Sequence, residues 1–363
     1  MLIHHQLTVN GSSTTRVLID PDAGQGSTVW PSVGEYPIYD EVLYDTLSSD
    51  ALRNERFRAA LRKLAPGRVA LDIGTGQYLN WARESIRSGA EHAVAMEVMD
   101  ETFRAAEHNL RAWNLDHSIT LLHGNSSELT IEPQADLCVA EIIGSIAGAE
   151  GAAAIFSDAR RRLMTDDGVV IPDRCTTQAA GVCLRKVLDR HKIAFSPSAV
   201  PHLTKIFAWN QGFFDVRLRI KEPDPRGVIT TSAPIEELHF NGDLRTEQEQ
   251  RVELEVDRAG HVDGVLLWLQ LFHLPSCPPL DALAHHTSWA SVYIPLFPSE
   301  IPVERGDRLA LTVVTQTSDD GIHPDYHVTG ALSTANGRYI GEHISAHHGH
   351  TFRSHPVYRT LFP

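Results

Sequence analysis

"RVALDIGTGQYLNWARESIRSGAEHAVAMEV", residues 68–98, decides the class of fold. "RVALDIG" is a short apolar run bounded by turn residues, the pattern of a strand buried on both faces of a parallel sheet. "QYLNWARESIRSG" then has helical spacing and stops at Gly89, and "HAVAMEV" reads as a second buried strand. The alternation continues downstream: "ETFRAAEHNLRAWNL" predicts a second helix, "ITLLHG" a third strand and "ADLCVAE" a fourth. Strands alternating with helices are βαβ units, so the expected fold is α/β, a Rossmann-like parallel sheet. Upstream, Tyr36 to about Leu64 is helical in pattern, with Ser49 or Asp50 placed to cap its second part and Pro66-Gly67 to stop it. Asn10-Gly11 marks a hairpin turn within residues 1–33, which alternate weakly.

After Pro172 the texture changes to short alternating runs, among them "FFDVRLRI", "QRVELEVD", "VDGVLLWLQLF" and "RLALTVVTQ", separated by Pro, Gly and Asp. They predict an all-β part, an antiparallel barrel or sandwich. The expected divisions are an N-terminal extension (1–34), an α/β domain with N-terminal helices (35–172) and a β domain (173–363).

The chain has 363 residues, with 42% hydrophobic and 21% charged, and a formal net charge of −14. That balance fits a globular protein with substantial cores and argues against a nucleic-acid partner gripped through phosphates. No apolar run is long enough to span a bilayer, and no basic-then-apolar leader opens the chain, so a cytoplasmic location without a membrane partner is the expectation. Cys138, Cys175, Cys183 and Cys277 form no C-x-x-C pair and read as neither a disulfide framework nor a zinc site. Twenty histidines include His347, His348 and His350 in a polar tail, but no metal-binding spacing occurs, so no metal is expected. His323 and His327 flank Asp325 in an expected loop, where they could orient a proton acceptor. Arg160, Arg161 and Arg162 read as a solvated helix face.

Three pieces of a ligand site fall in order. Gly74 and Gly76 close the first strand, Glu97 closes the second, 21 residues after Gly76, and "HGNSSE" (123–128) closes the third. In a doubly wound sheet, ligands bind at these carboxyl ends. The glycines allow close backbone approach, the acid can accept two ribose hydroxyls, and the third loop can reach an adenine. A dinucleotide fingerprint needs a third glycine, and Leu79 occupies its place. S-adenosylmethionine has no diphosphate and does not require that glycine, so it is the favoured ligand.

Two glutamates follow in "AEIIGSIAGAEG" (140–151). Glu141 ends the fourth strand and Glu150 lies nine residues on, with Gly144 and Gly148 letting the chain double back. Facing carboxylates repel unless a cation lies between them. A guanidinium suits that cleft because it is planar, permanently charged and matches carboxylates two hydrogen bonds at a time. The plainer alternative makes Glu141 a helix-start residue and Glu150 a first-turn acid of the next helix.

Taken together, "LDIGTG", Glu97 and the glutamate pair resemble the protein arginine methyltransferases, including their double-glutamate loop. "GVVIPDR" (168–174) is similar to that family's link into its β-barrel, and "HTSWASVYIPLFPSEIPVERGD" (286–307) to its substrate-side Thr-His-Trp loop. The resemblance runs from about Tyr36 to about Tyr339. It implies S-adenosyl-L-methionine held by Asp72, Gly74, Gly76, Glu97, Asn125 and Ser126, and a guanidinium clamped by Glu141 and Glu150. It implies Tyr39, Val42, Ser288 and Trp289 on the substrate side, and a homodimer built on an arm at about 190–213. Ser288 stands where the signature histidine would be, as in the symmetric-dimethylating branch, whose bulky first-helix Phe is Val42 here. Ser48 stands where relatives carry a cation for the donor's carboxylate, with Arg53 five residues on as a substitute. The absence of accessory modules resembles bacterial enzymes that methylate free L-arginine for natural products, such as the one in streptozotocin biosynthesis. That implies a free-arginine N-methyltransferase making ω-N-methyl-L-arginine. The rivals are the same chemistry on protein or peptide arginine, on another amidine or amine, and a catalytically silent dimeric scaffold.

Overall fold

The computed structural model describes residues 2–22, 27–33, 46–189 and 193–363. β1 (Ile3–Val9) and β2 (Ser13–Ile19) form the expected hairpin, turning through Asn10 and Gly11 at φ 52° and 70°. β3 (Thr28–Ser32) leaves this hairpin for the β sheet described below. α1 (Ala51–Leu64) is capped by Asp50, whose side chain accepts from the Arg53 N–H at 3.0 Å, while Ser49 bonds back to the Thr46 carbonyl.

The α/β unit follows. β4 (Val69–Ile73), α2 (Asn80–Arg87), β5 (His92–Glu97), α3 (Asp100–Ala112), β6 (Ile119–His123), β7 (Ala135–Ala140), α4 (Ala152–Arg162) and β8 (Met164–Ile171) occur in chain order. Every strand pair in the sheet is parallel, and the strand order is β6-β5-β4-β7-β8. The chain progresses outward from β4 through β6, then crosses to β4's other edge for β7. That reversal opens a crevice at the carboxyl ends of β4 and β7, where such sheets bind ligands.

The remaining strands are antiparallel. β9 (Arg174–Val182), β10 (Arg217–Lys221), β11 (Ala233–His239), β14 (Gly264–Phe272) and β16 (Ser291–Pro295) join β3 in the order β11-β9-β14-β16-β10-β3. β12 (Gln248–Glu255), β18 (Arg308–Thr317), β19 (Pro324–Thr334) and β20 (Gly337–Ser345) form a second sheet in the order β12-β18-β19-β20. Short strands β13 (Gly260–Val262) and β17 (Ile301–Val303) pair with each other, and β15 (Leu280–Asp281) adds to β14. Val265, Leu267 and Ile294 of the first sheet share one core with Leu311, Val313 and Val328 of the second.

The stretch read as a dimerisation arm, about 190–213, packs apolar side chains against its own chain over the residues described. α5 (Val200–Trp209) buries Leu203, Ile206 and Phe207 in a cluster with Val17, Phe214 and Phe362, the last from the C-terminal helix α6 (Pro356–Leu361) and its end. The tail read as a polar strand or loop is partly buried: His347 is 1% exposed, its ring edge-on to Trp209 at 5.2 Å. A local pattern cannot register such burial, because the covering surface comes from distant segments. No helix among the described residues is long and apolar enough to cross a membrane.

α1 is seated by Phe57, fully buried between Trp81 (4.5 Å, stacked) and His273 of the β domain (4.5 Å, edge-on). Phe57→Ala should cost about 3–5 kcal/mol, as buried aromatic truncations do, measurable by urea denaturation. A loss below 1 kcal/mol would show that this three-ring contact does not fasten the helix.

Candidate functional site

After β4 the chain turns sharply. Gly74 and Gly76 take φ 71° and 68°, which L side chains resist. The N–H groups of Gly74 and Thr75 both donate to the Met96 carbonyl at 3.0 Å, folding the turn onto β5. Glu97, at the end of β5, accepts from the Gly76 N–H through Oε2 and from the Met99 N–H through Oε1, each at 3.0 Å. Its carboxylate is thus fixed in direction while further lone pairs stay available.

Asp72 is fully buried beneath the turn. Its Oδ2 accepts from Thr75 Oγ1 (2.6 Å) and the Ala82 N–H (2.8 Å), tying turn to helix, while its Oδ1 has no partner. Burial, reinforced by the charge of Glu97, raises its pKa from the ordinary 3.8 to about 7 against the pull of those hydrogen bonds.

A cavity of about 390 Å³ opens over this turn. Gly74, Gly76, Glu97, Asn125, Ser126 and Arg53 line it, and so do Glu141 and Glu150; Asp72 stands below its wall rather than in it. Tyr39 and Val42 lie outside the described residues. Glu150 precedes Gly151, the residue before α4, and the first turn of α4 holds no acid, so the helix-start alternative does not apply to it.

Glu141 follows the last residue of β7 and is ion-paired with Arg53 Nη2. Burial pushes its carboxyl above the usual range, and the Arg53 charge and hydrogen bond pull it back. The Arg53 guanidinium lies 5.5–5.8 Å from the ring centres of Trp81, Trp289 and Phe57, and its Nη1 donates to Asn54 at 2.8 Å. Ser288 donates to Asp50 Oδ2 through its N–H (2.7 Å) and hydroxyl (3.0 Å), so it braces the cap of α1. Trp289 is buried and donates its indole N–H to the Ile143 carbonyl at 2.7 Å.

The loop between the two glutamates is gripped by side chains that sequence reading missed. Glu236 of β11 accepts from the Gly148 N–H (3.1 Å), Thr177 Oγ1 (2.7 Å) and the Tyr326 hydroxyl (3.0 Å), and Thr177 Oγ1 also accepts from the Ala147 N–H (2.9 Å). A Cβ on Gly148 would meet Glu236 Oε1 at 2.6 Å, which explains that glycine. The pairing of His323 and His327 around Asp325 does not form. His323 lines the cavity and bonds Asp320 through Nδ1 at 2.5 Å, whereas His327 lies 3.6 Å from Glu342 and Asp325 accepts from the His347 N–H. Asp320, His323 and His347 each bring a ligating atom within 4.8 Å of one another, as do Cys183, Asp263 and Glu300. The two histidine rings stack in parallel, 4.2 Å apart, rather than converge on one point.

The donor set suits a nucleoside cofactor without a diphosphate. Among the described residues lining the cavity, Arg53 is the one arginine or lysine, and Glu141 engages it. The volume lies in the range of cofactor pockets.

No protein-family model matches the chain. Among curated proteins it is 28% identical over 278 residues to protein arginine N-methyltransferase 7 of Drosophila grimshawi, covering 70% of this chain and 39% of that one. It is 26% identical over 363 residues to the Drosophila erecta counterpart, covering 91% and 50%. The chain therefore spans about two fifths to half the length of these relatives. It is 25% identical over 272 residues to the arginine N(omega)-methyltransferase of Streptomyces achromogenes subsp. streptozoticus, covering 72% and 73%. Its fold matches Arabidopsis thaliana protein arginine methyltransferase 10 with a TM-score of 0.68 at 18% identity, over 84% of this chain and 97% of that one. It also matches a Trypanosoma brucei PRMT1 enzyme-prozyme complex with AdoHcy, with a TM-score of 0.67 at 16% identity, over 83% and 97%.

Asp72 yields a stability prediction. Because its native pKa is raised, the folded protein keeps a proton that the unfolded chain releases above pH 4. Stability is therefore lost as pH rises from about 4 to about 7, by an amount on the order of 4 kcal/mol. In the ligand-free protein, the stability of Asp72→Asn relative to wild type should rise steadily between pH 5 and 7.5 in denaturant titrations. A difference that does not vary with pH would contradict the assignment.

Proposed function

We propose that this chain, which belongs to the protein arginine methyltransferase family, transfers a methyl group from S-adenosyl-L-methionine to a guanidinium nitrogen of free L-arginine. The product is ω-N-methyl-L-arginine. The observation that carries this reading is that Glu141 and Glu150 line the same cavity as Gly74, Gly76 and Glu97. The bound cofactor supplies a methyl group on a sulfonium, an electrophile that needs no metal.

The protein's own groups do the rest. Glu97 accepts ribose hydroxyls, the glycine turn lets the backbone come close, and Asn125 and Ser126 stand on the adenine side. Glu141 and Glu150 take the guanidinium N–H groups in charge-assisted pairs and draw positive charge towards themselves. The nitrogen pointing at the methyl group then recovers lone-pair character, so most of the acceleration comes from placement and electrostatics. Arg53 holds Glu141 in the orientation that this contact needs, and offers a cation to the cofactor's carboxylate. His323, oriented by Asp320, is the group on the cavity wall suited to take the proton that methylation releases.

Free arginine as substrate, and a place in natural-product biosynthesis, are supported by the Streptomyces relative, of which this chain covers 73%. Protein or peptide arginine is the second reading, favoured by the names of the Drosophila relatives. A homodimer is part of the proposal, and gel filtration with light scattering tests it.

Purified protein should be incubated with S-adenosyl-L-methionine and either free L-arginine or an arginine-rich peptide, with products read by mass spectrometry. Methylation of the free amino acid alone supports the first reading, and methylation of the peptide alone supports the second. Failure to bind S-adenosylhomocysteine would count against both readings and favour a catalytically silent dimeric scaffold. Glu141→Gln should lower turnover by about a hundredfold or more while S-adenosylhomocysteine affinity, measured by calorimetry, survives. Retained turnover in that variant would sink the clamp mechanism.

A further inference from the structure

A second, smaller cavity shares Glu150 with the first. It measures about 40 Å³. Its wall is formed by Ser145 and Ala149 of the glutamate loop, Arg217 and Arg219 of β10, and Trp289. Two polar atoms of this wall are buried without a hydrogen-bond partner: Arg217 Nη1 and Ser145 Oγ.

Arg217 is 4% exposed. Its Nε donates to Ser345 Oγ at 2.7 Å, and its Nη2 to the carbonyls of Ser345 (3.0 Å) and Pro324 (3.4 Å). Three of its hydrogen bonds thus fix the guanidinium plane. The Tyr326 ring centre lies 5.3 Å from it, and the charges of Asp325 and Glu236 act on it without bonding Nη1. Burial depresses its pKa, the mark of a cation incompletely compensated where it sits. Arg219 donates to the Ser288 carbonyl at 3.3 Å and brings a second guanidinium to the same wall. An orphaned buried donor is costly, more so when charged, so such groups are retained where a ligand satisfies them.

We infer that Arg217, with Ser145, receives the α-carboxylate of a free amino-acid substrate, and so selects L-arginine over arginine within a chain. The inference rests on the methyltransferase reading above, in which the guanidinium sits at Glu141 and Glu150. Because Glu150 borders both cavities, a substrate held there by its guanidinium directs its other end to the Arg217 wall. The smaller space has room for the equivalent of two or three waters, which suits a carboxylate group. The unpartnered Nη1 of the fixed guanidinium offers its N–H groups to such a group, and the serine hydroxyl offers a further donor.

The test compares L-arginine, L-arginine amide and agmatine, which is arginine without its carboxylate, as methyl acceptors. In the wild-type protein, kcat/KM should favour L-arginine over both by roughly ten- to a hundredfold, the worth of one charge-assisted contact. Ser145→Ala and Arg217→Lys should shrink that ratio towards one, through KM for L-arginine rather than through kcat. Arg217 also holds β10 to β20, so the wild-type comparison stands on its own if that variant does not fold. Equal use of agmatine and L-arginine by the wild type would overturn the anchor while leaving the methyltransferase reading intact. So would equal losses on both acceptors in the variants. No turnover of any guanidine would overturn both.

Discussion

A buried carboxylate, Glu236, holds the site's geometry together. It is 1% exposed, and burial raises its pKa against three hydrogen bonds, from Thr177, Gly148 and Tyr326. Those donors belong to β9, to the glutamate loop and to β19, so one side chain joins the α/β unit to both antiparallel sheets. A buried acid of this kind is tolerated only when its acceptor positions are filled. That requirement works in both directions: the loop satisfies Glu236, and Glu236 fixes the path of the loop. From the opposite side Trp289 bonds the Ile143 carbonyl, and the segment carrying both glutamates is held at two points.

The second constraint is electrostatic. The chain carries an excess of acids, and several of them are gathered around one cavity. Asp72, Glu97, Glu141 and Glu150 are separated in function by their partners. Glu97 is aimed by backbone N–H groups, Glu141 is balanced by Arg53 within an aromatic surround, and Asp72, with one oxygen unsatisfied, is driven towards its neutral form. Environment thus gives similar side chains different partners: backbone N–H groups for Glu97, a guanidinium for Glu141 and an incomplete set for Asp72.

Much of the fold was legible because βαβ units write themselves into local patterns. Four apolar runs became four of the five parallel strands, and the glycines and Glu97 fell at strand ends by counting alone. The two glutamates were legible as residues, but their common cavity was not. Glu236 was hidden for a specific reason: a register irregularity between Pro234 and Glu236 turns both Ile235 and Glu236 inward, and period-two reading expects one of them to face solvent. His323 was noticed with the wrong partner, because Asp325 is nearer to it in a strand's alternation while the turn at 318–323 folds Asp320 onto the ring. α5, within the stretch read as a dimerisation arm, has its apolar face covered by the N-terminal hairpin and the C-terminal helix, segments more than a hundred residues away in sequence and so invisible to a local pattern.

By itself the sequence determined the order of the elements, the end of each parallel strand and the kinds of side chain placed there. These follow from periodicity and from turn residues acting over a few positions. Tertiary structure decided which of those side chains meet. The crossing of the chain from β6 to β7 brings Glu141 beside the glycine turn, and the docking of the β sheets supplies Glu236, Trp289 and Arg217 to a loop they never approach in sequence. The reason is physical: burial and long-range hydrogen bonding depend on what packs on the other side, and one segment's pattern carries no record of that.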